Sequence, residues 1–445
     1  MSLDRTTIGT GINISFIESD RFKTNHIGIN LISGLNKEHA SKNALLTKVL
    51  KRGSRNYPTM AILNRELDFL YSAGVGAGVY KVGEAQIVWL SAYMLENKYA
   101  LDDTDILSGT LNILGDILTN PLIEDDGFKT EYVETEKTNL INDIEAQIND
   151  KGSYAYKKCI GIMCKDEKFS VNTLGTIDDV KAIDNKNLYE HYKYALASYT
   201  IEIFCVGKIA DKKQVLIDKF KDLFKDIKRE NLETFDTEVI LKADNKGEHI
   251  EEMPVNQGKL AMGFRIGLSN KSNDFAKFTL FNAIYGASPT SKLFENVREK
   301  LSLCYYCHTA VEAEKGIVTV LSGIEVENKQ KTIDEVLKQL DEIKNNNFTD
   351  NEMEDARLSI INSYRGVFDS SGSIEFWYLR RLLCGVMRTP EEAIELIKKA
   401  NRDDVIEAAN RITLDTVFFL KGMNPADSDE DGEDNIYDAD DMEGE

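Results

Sequence analysis

The sequence predicts an α+β protein made by duplication, with two mixed domains of roughly 200 residues each in one chain. Three observations carry this. Strand-like and helix-like segments alternate along the chain from residue 11 to residue 422. A polar stretch without sustained period, KRENLETFDTEVILKADNKGEHI (228–250), divides them. Both parts then close on the same order of helix, short connection, apolar strand and glycine: NLYEHYKYALASYTIEIFCVG in the first and DDVIEAANRITLDTVFFLKG in the second.

In the first half, GINISFIES and HIGINLISG alternate with period two and end at glycine or polar residues, the pattern of strands. A helix follows at 41–52, then a strand-like run at 85–94, AQIVWLSAYM. Leu/Ile spacing makes 104–119 helical, and 126–150 reads as a long amphipathic helix turning Phe128, Val133, Leu140, Ile144 and Ile148 to a core. Helix 187–196, buried strand 200–207 and helix 215–227 complete this half. The second half opens with strand 259–268 and helices 274–286 and 291–301, followed by strands 303–311 and 316–325. Helices at 330–345, 350–367, 373–386 and 403–412 lead to the closing strand 416–422.

Composition narrows the class. With 445 residues, 42% hydrophobic and 29% charged, the chain is globular and long enough for more than one core. No apolar run approaches the 18 or more residues of a membrane span, and MSLDRTTIGTGINISF lacks the basic and apolar regions of a secretory signal. Six cysteines in such a length fit a reducing, cytoplasmic compartment. Cys304 and Cys307 form a CxxC within an expected strand, where residues three apart face opposite ways and cannot chelate together. The net charge is -21, of which residues 427–445 supply eleven acids and no base; such a block reads as a solvated tail. That field argues against a nucleic-acid partner.

The strongest local signal is SKLFENVREKLSLCYYCHT (291–309), a serine-started helix, a polar turn and an aromatic strand. Here the sequence resembles the second half of insulinase/pitrilysin-type peptidases, whose helix carries R-E-K-x-G-L-x-Y. Arg298, Glu299, Lys300, Leu303 and Tyr305 stand in those places, with Ser302 in place of the glycine. FSVNTLGTIDDVKAIDNKNLYEHYKYAL (169–196), CVGKI (205–209) and ANRDDVIEAANRI (400–412) resemble further family segments, and the match in order extends to about residue 424. The resemblance implies the LuxS/mitochondrial-processing-peptidase-like metallohydrolase fold, in which each of two homologous domains is an antiparallel sheet with helices packed on one face. Together with the polar stretch and the acidic block, this divides the chain into expected domains at 1–227 and 251–426, a linker at 228–250 and an acidic disordered tail at 427–445.

Active members of this inverted zincin family bind zinc through H-x-x-E-H on a first-half helix and a later helical glutamate. Two His at i and i+4 share a helix face, and the intervening Glu lies close enough to take a proton from zinc-bound water. This chain reads NALLTKVLKRGS at 43–54: Ala44 replaces the first His, Thr47 the Glu and Lys48 the second His. Glu136 matches an earlier helical glutamate, and Asp143 replaces the zinc glutamate. No slip restores the site, because no two of the five histidines lie closer than thirteen residues. Glu38-His39 mimics the end of the motif, but Leu35 holds the first ligand position. The helix is therefore expected to persist for packing, through Ala44, Leu45, Val49 and Leu50. His308 has no metal-binding companion in sequence and reads as structural. The short connection 286–290 is unlike the glycine-rich loop of the mitochondrial non-catalytic subunit.

By resemblance, the chain is a zinc-less, proteolytically inactive subunit with no cofactor of its own, paired with a zinc-bearing homologue. Arg298 and Tyr305 would hold a peptide or unfolded polypeptide opposite that zinc, donating hydrogen bonds to a carbonyl whose oxygen gains charge during hydrolysis. Bacterial non-catalytic relatives include proteins linked to modification of translation elongation factor P, which extends the same expectation. The alternative is a non-enzymatic scaffold or peptide-binding protein that self-associates as a homodimer. Neither reading involves a membrane or nucleic acid.

Overall fold

The computed structural model describes residues 3–422, so the tail expected at 427–445 lies outside the described residues. In chain order the strands are β1 (Asp4–Gly9), β2 (Ile12–Glu18), β3 (Thr24–Gly34), β4 (Gly74–Val82), β5 (Ala85–Leu95), β6 (Ile123–Glu124), β7 (Gly127–Phe128), β8 (Thr200–Gly207), β9 (Gly247–Met253), β10 (Gly258–Arg265), β11 (Cys304–Glu312), β12 (Ile317–Ile324) and β13 (Thr413–Gly422). They form a six-stranded sheet ordered β1-β2-β8-β3-β5-β4, a five-stranded sheet ordered β11-β12-β10-β13-β9, and the small hairpin β6-β7. Pairing is antiparallel apart from β2 with β8 and β13 with β9. The closing strand of each half therefore lies inside its sheet, parallel to a strand that opens that half.

Alternation decides which face each side chain meets. Ile27, Ile29 and Leu31 of β3 and Ile201, Ile203 and Cys205 of β8 point to a core covered by the helices Lys37–Lys51, Ile106–Thr119, Asn185–Ser198 and Lys213–Phe224. Leu260, Met262 and Phe264 of β10 do the same beneath the helices Phe275–Asn282, Lys329–Lys344 and Arg402–Arg411. The opposite faces are also apolar, and each is covered by a helix of the other half. Ile374, Tyr378 and Leu379 of the helix Ser371–Leu383 pack on Ile17, Ile32, Phe204 and Val206 of the first sheet. Ala155 and Cys159 of the helix Lys151–Met163 pack on Ala261, Phe418 and Leu420 of the second. Close approach is built in: a Cβ on Gly263 would meet Met163 Sδ at 2.8 Å, and one on Gly28 would strike the carboxylate of Glu375.

A buried ion network joins the halves at their hairpin turns. Lys315, fully buried between β11 and β12, reaches Glu84 Oε1 (2.8 Å) between β4 and β5, Glu167 Oε2 (2.5 Å) and the Glu238 carbonyl (2.6 Å). Arg265 pairs with the same Glu167 (2.5 Å) and with Asp415 (3.2 Å).

Several elements differ from expectation. The helix expected at 126–150 runs from Thr130 to Ala146; Phe128 lies in β7 and Ile148 is exposed. The helix expected at 291–301 is wound more widely, as a π-helix from Leu293 to Lys300, and the end of the preceding one is π from Ala283 to Ala287. Residues 247–250, expected as the end of a linker, are strand β9.

Candidate functional site

The helix Lys37–Lys51 starts at Asn36, whose side chain accepts from the His39 N–H, and sits against the helix Thr130–Ala146. Ala44, Leu45, Val49 and Leu50 are all buried in the first core. Thr47 is buried too, and its hydroxyl donates to the Ala44 carbonyl one turn back (2.9 Å). Lys48 extends across to the neighbouring helix, where Nζ meets Asp143 Oδ2 at 2.6 Å. One turn further on, Arg52 approaches Glu136 at 3.5 Å and lies over the Tyr132 ring at 5.1 Å. Glu136 also accepts from Asn139 (3.0 Å).

The structure thus brings together Lys48 and Asp143, the residues expected at the second zinc histidine and the zinc glutamate. It fills the space between them with a lysine–aspartate pair. This donor set does not fit a zinc ion: Ala44 offers no ligand, the Thr47 hydroxyl serves its own helix, and an ammonium already occupies the carboxylate. The opposite charges at positions 48 and 143 were the signal in the sequence for this pairing. Both groups are partly solvated, so the pair contributes at most about 1 kcal/mol.

His191 and His39 also meet nearby, with ring centroids 5.0 Å apart. His191 Nε2 is 2.8 Å from Asn43 Oδ1, and burial, with smaller effects from His39 and Lys42, pushes its pKa down to about 3. A neutral imidazole there positions Asn43, which donates in turn to Gln86 (2.9 Å).

Arg298 and Tyr305 lie on the other sheet. Arg298 is near the end of the π-helix, its guanidinium 4.7 Å from the Phe294 ring centroid and 3.4 Å from Glu299. The chain then reverses through Ser302, at φ +49°, the left-handed region for which glycine is best suited. Tyr305 is 68% exposed on β11, the outer strand of the sheet, and its hydroxyl has no partner among the described residues. No hydrogen bond or cation–π contact joins Arg298 to Tyr305 among the described residues; the turn through Ser302 lies between them.

Tyr305 also corrects the expectation for the CxxC. Cys304 pairs with Ile324 while Tyr306 pairs with Gly323, so Tyr305 is an extra, bulged residue that resets the alternation of β11. Cys304 and Cys307 consequently face the same core. The neighbouring Cys307 thiol and, to a smaller extent, Arg298 hold the Cys304 thiol below its usual pKa, while Cys304 and burial push Cys307 well above. His308 is exposed, with its ring centroid 5.5 Å from that of Tyr306. Among the described residues, no group of three or more His, Cys, Asp or Glu could hold a metal, and no helix is long and apolar enough to cross a membrane.

Residues 182–360 match the family described as the peptidase M16 inactive domain. A probable inactive metalloprotease, YmfF, from Bacillus subtilis is 32% identical over 417 residues, covering 94% of this chain and 97% of that one. An uncharacterized zinc protease of Streptomyces coelicolor is 23% identical, over 70% of this chain and 67% of its own. Among solved structures, a conserved protein from Enterococcus faecalis superposes with a TM-score of 0.86 at 27% identity, covering 95% of this chain and 99% of that one. A peptidase M16 inactive domain from Pseudomonas fluorescens gives 0.77 at 14% identity, with 95% and 99% covered, a likeness of fold.

Proposed function

We propose a role from one premise: this chain belongs to the M16 (insulinase/pitrilysin-type) peptidase family, as a non-catalytic member. The role is that of the zinc-less subunit of a heterodimer whose other chain carries an intact H-x-x-E-H. The Lys48–Asp143 pair carries this reading, because an ammonium sits on the carboxylate where active relatives would hold a metal. A helix pair kept in register without metal makes sense in a subunit whose partner performs the chemistry.

What this chain adds is substrate contact. Arg298 supplies a guanidinium and Tyr305 an unpartnered phenol on an outer strand, and both can donate to a peptide carbonyl. The unpaired edge of β11 suits an extended peptide added as a further strand, recognised by backbone hydrogen bonds that tolerate varied side chains. Co-purification of the chain from its native host, with identification of the bound proteins, tests the reading. It predicts an H-x-x-E-H homologue in a one-to-one complex, whereas a homodimer lacking such a partner favours the scaffold alternative.

A further inference from the structure

A cavity of about 690 Å³ lies between the helices Phe275–Asn282, Asp350–Gly366 and Ser371–Leu383 and the end of β11. That volume is in the range of small-ligand sites. Phe275, Phe278, Tyr364 and Trp377 give it an aromatic wall. Most of its polar groups are already engaged. Arg380 makes two bonds to Glu314 (2.8 and 2.7 Å), Asn270 donates to Glu314 (2.9 Å) and accepts from Cys384, and Thr279 donates to the Phe275 carbonyl (2.8 Å).

Two lining groups, Arg381 and Asn282, each keep a buried polar atom without a partner. Arg381 stacks on Trp377 at 4.4 Å, but it has no ion pair or hydrogen bond among the described residues, and its Nε is buried without a partner. Burial lowers its pKa, and the neighbouring guanidiniums of Arg380 and Arg388 lower it further, against an opposing effect of Tyr364 and a smaller one of Cys384. Asn282 is 7% exposed, and its Oδ1 is buried without a donor. A half-buried guanidinium whose Nε is buried without an acceptor, and a buried carbonyl without a donor, are each costly unless something supplies the partner. The needs are complementary: an anion for one, an N–H for the other, and an apolar body between.

We infer that this cavity binds the free C-terminal residue of an apolar peptide or N-acyl amino acid. Its carboxylate would sit on Arg381, its amide N–H on Asn282 Oδ1, and its side chain against the aromatic wall. The inference needs no partner chain and is independent of Arg298 and Tyr305.

Calorimetric titration of the full chain with N-acetyl-L-leucine and with Ala-Ala-Leu tests it. Binding of either should be saturable and one-to-one, with C-terminal amidation weakening it about tenfold or more. Octanoate, which has the carboxylate and apolar body but no N–H, should also be weaker. Arg381→Met should lose the preference for acid over amide, and Asn282→Leu the preference over octanoate. Binding of only one of the two probes supports the site and identifies its source as peptide or small molecule. Equal affinity for acid and amide, octanoate binding as tight as N-acetyl-L-leucine, or no saturable binding at about millimolar concentrations overturns the inference. The wild-type comparisons decide the matter even where a variant fails to fold.

Discussion

Replacing Lys315 with Met probes the connection between the two halves. The methionine fills most of the space of the lysine stem, so packing is nearly conserved and the loss is electrostatic. Removing Nζ deprives Glu84 Oε1 of a partner at 2.8 Å and Glu167 Oε2 of one at 2.5 Å, and frees the Glu238 carbonyl. Glu167 keeps Arg265 at 2.5 Å, so the stranded charge is chiefly that of Glu84, which is 4% exposed. Breaking a buried pair by removing one partner costs about 3–5 kcal/mol, a large share of the roughly 5–15 kcal/mol available to a folded domain. Urea unfolding followed by circular dichroism and by tryptophan fluorescence reads the loss, Trp89 and Trp377 both lying against the cluster that joins the first sheet to the helix Ser371–Leu383. The expected result is a lower midpoint and, if the hairpin contact couples the halves, separation of the two probes. Adding Glu84→Gln should recover part of the loss, because the stranded charge is gone. A loss below about 1 kcal/mol, with no recovery in the double variant, would refute the assignment of this network as an interdomain clamp.

Other outcomes follow from the same geometry. Ser302→Gly should raise stability by about 0.5–1 kcal/mol, because the left-handed φ of +49° favours glycine, as read from the urea midpoint. A double-mutant cycle on Lys48→Ala and Asp143→Ala should return a coupling of at most about 1 kcal/mol, the range for a partly solvated pair. His191 has its folded pKa lowered from 6.5 to about 3, so the unfolded chain binds the extra proton between those values. Its contribution to stability is full above pH 6.5 and falls by up to about 1.4 kcal/mol per pH unit below it, a slope that His191→Gln should reduce in unfolding measured from pH 7 to 4.

Much of the fold was legible because periodicity and closing glycines survive in one sequence. Strand 200–207, the helices near 106–119, 329–344 and 350–366, and the repeated endings all fall within a few residues of where they read. What escaped had chemistry that masks its period. Strand β4 is GVGAGVYKV, whose glycines blur the alternation; the Trp89 ring lies across Gly76 and Gly78, where a Cβ would sit 3.0–3.1 Å from it. The helix Lys151–Met163 packs through Ala155, Cys159 and Met163, a proper i, i+4, i+8 stripe of residues too small or soft to stand out. The helix Pro390–Lys399 went unread although Thr389, Pro390 and Glu392 spell its start, with the Thr389 hydroxyl and Glu392 carboxylate capping each other's N–H. The loss of the zinc ligands was plain in residue types alone. The bulge at Tyr305 that turns Cys304 toward Cys307 and the unpaired Arg381 depend on long-range packing that no local segment encodes.

The central claim is that this chain lends substrate-binding groups to a zinc-bearing partner. The most direct measurement mixes the purified chain with its H-x-x-E-H homologue and follows hydrolysis of an unfolded peptide, with Arg298→Ala and Tyr305→Phe compared against wild type. The account predicts that the wild-type chain raises kcat/KM well above that of the homologue alone, and that Arg298→Ala lowers it about tenfold or more while the complex stays intact by size exclusion. An unchanged rate in an intact Arg298→Ala complex would contradict it.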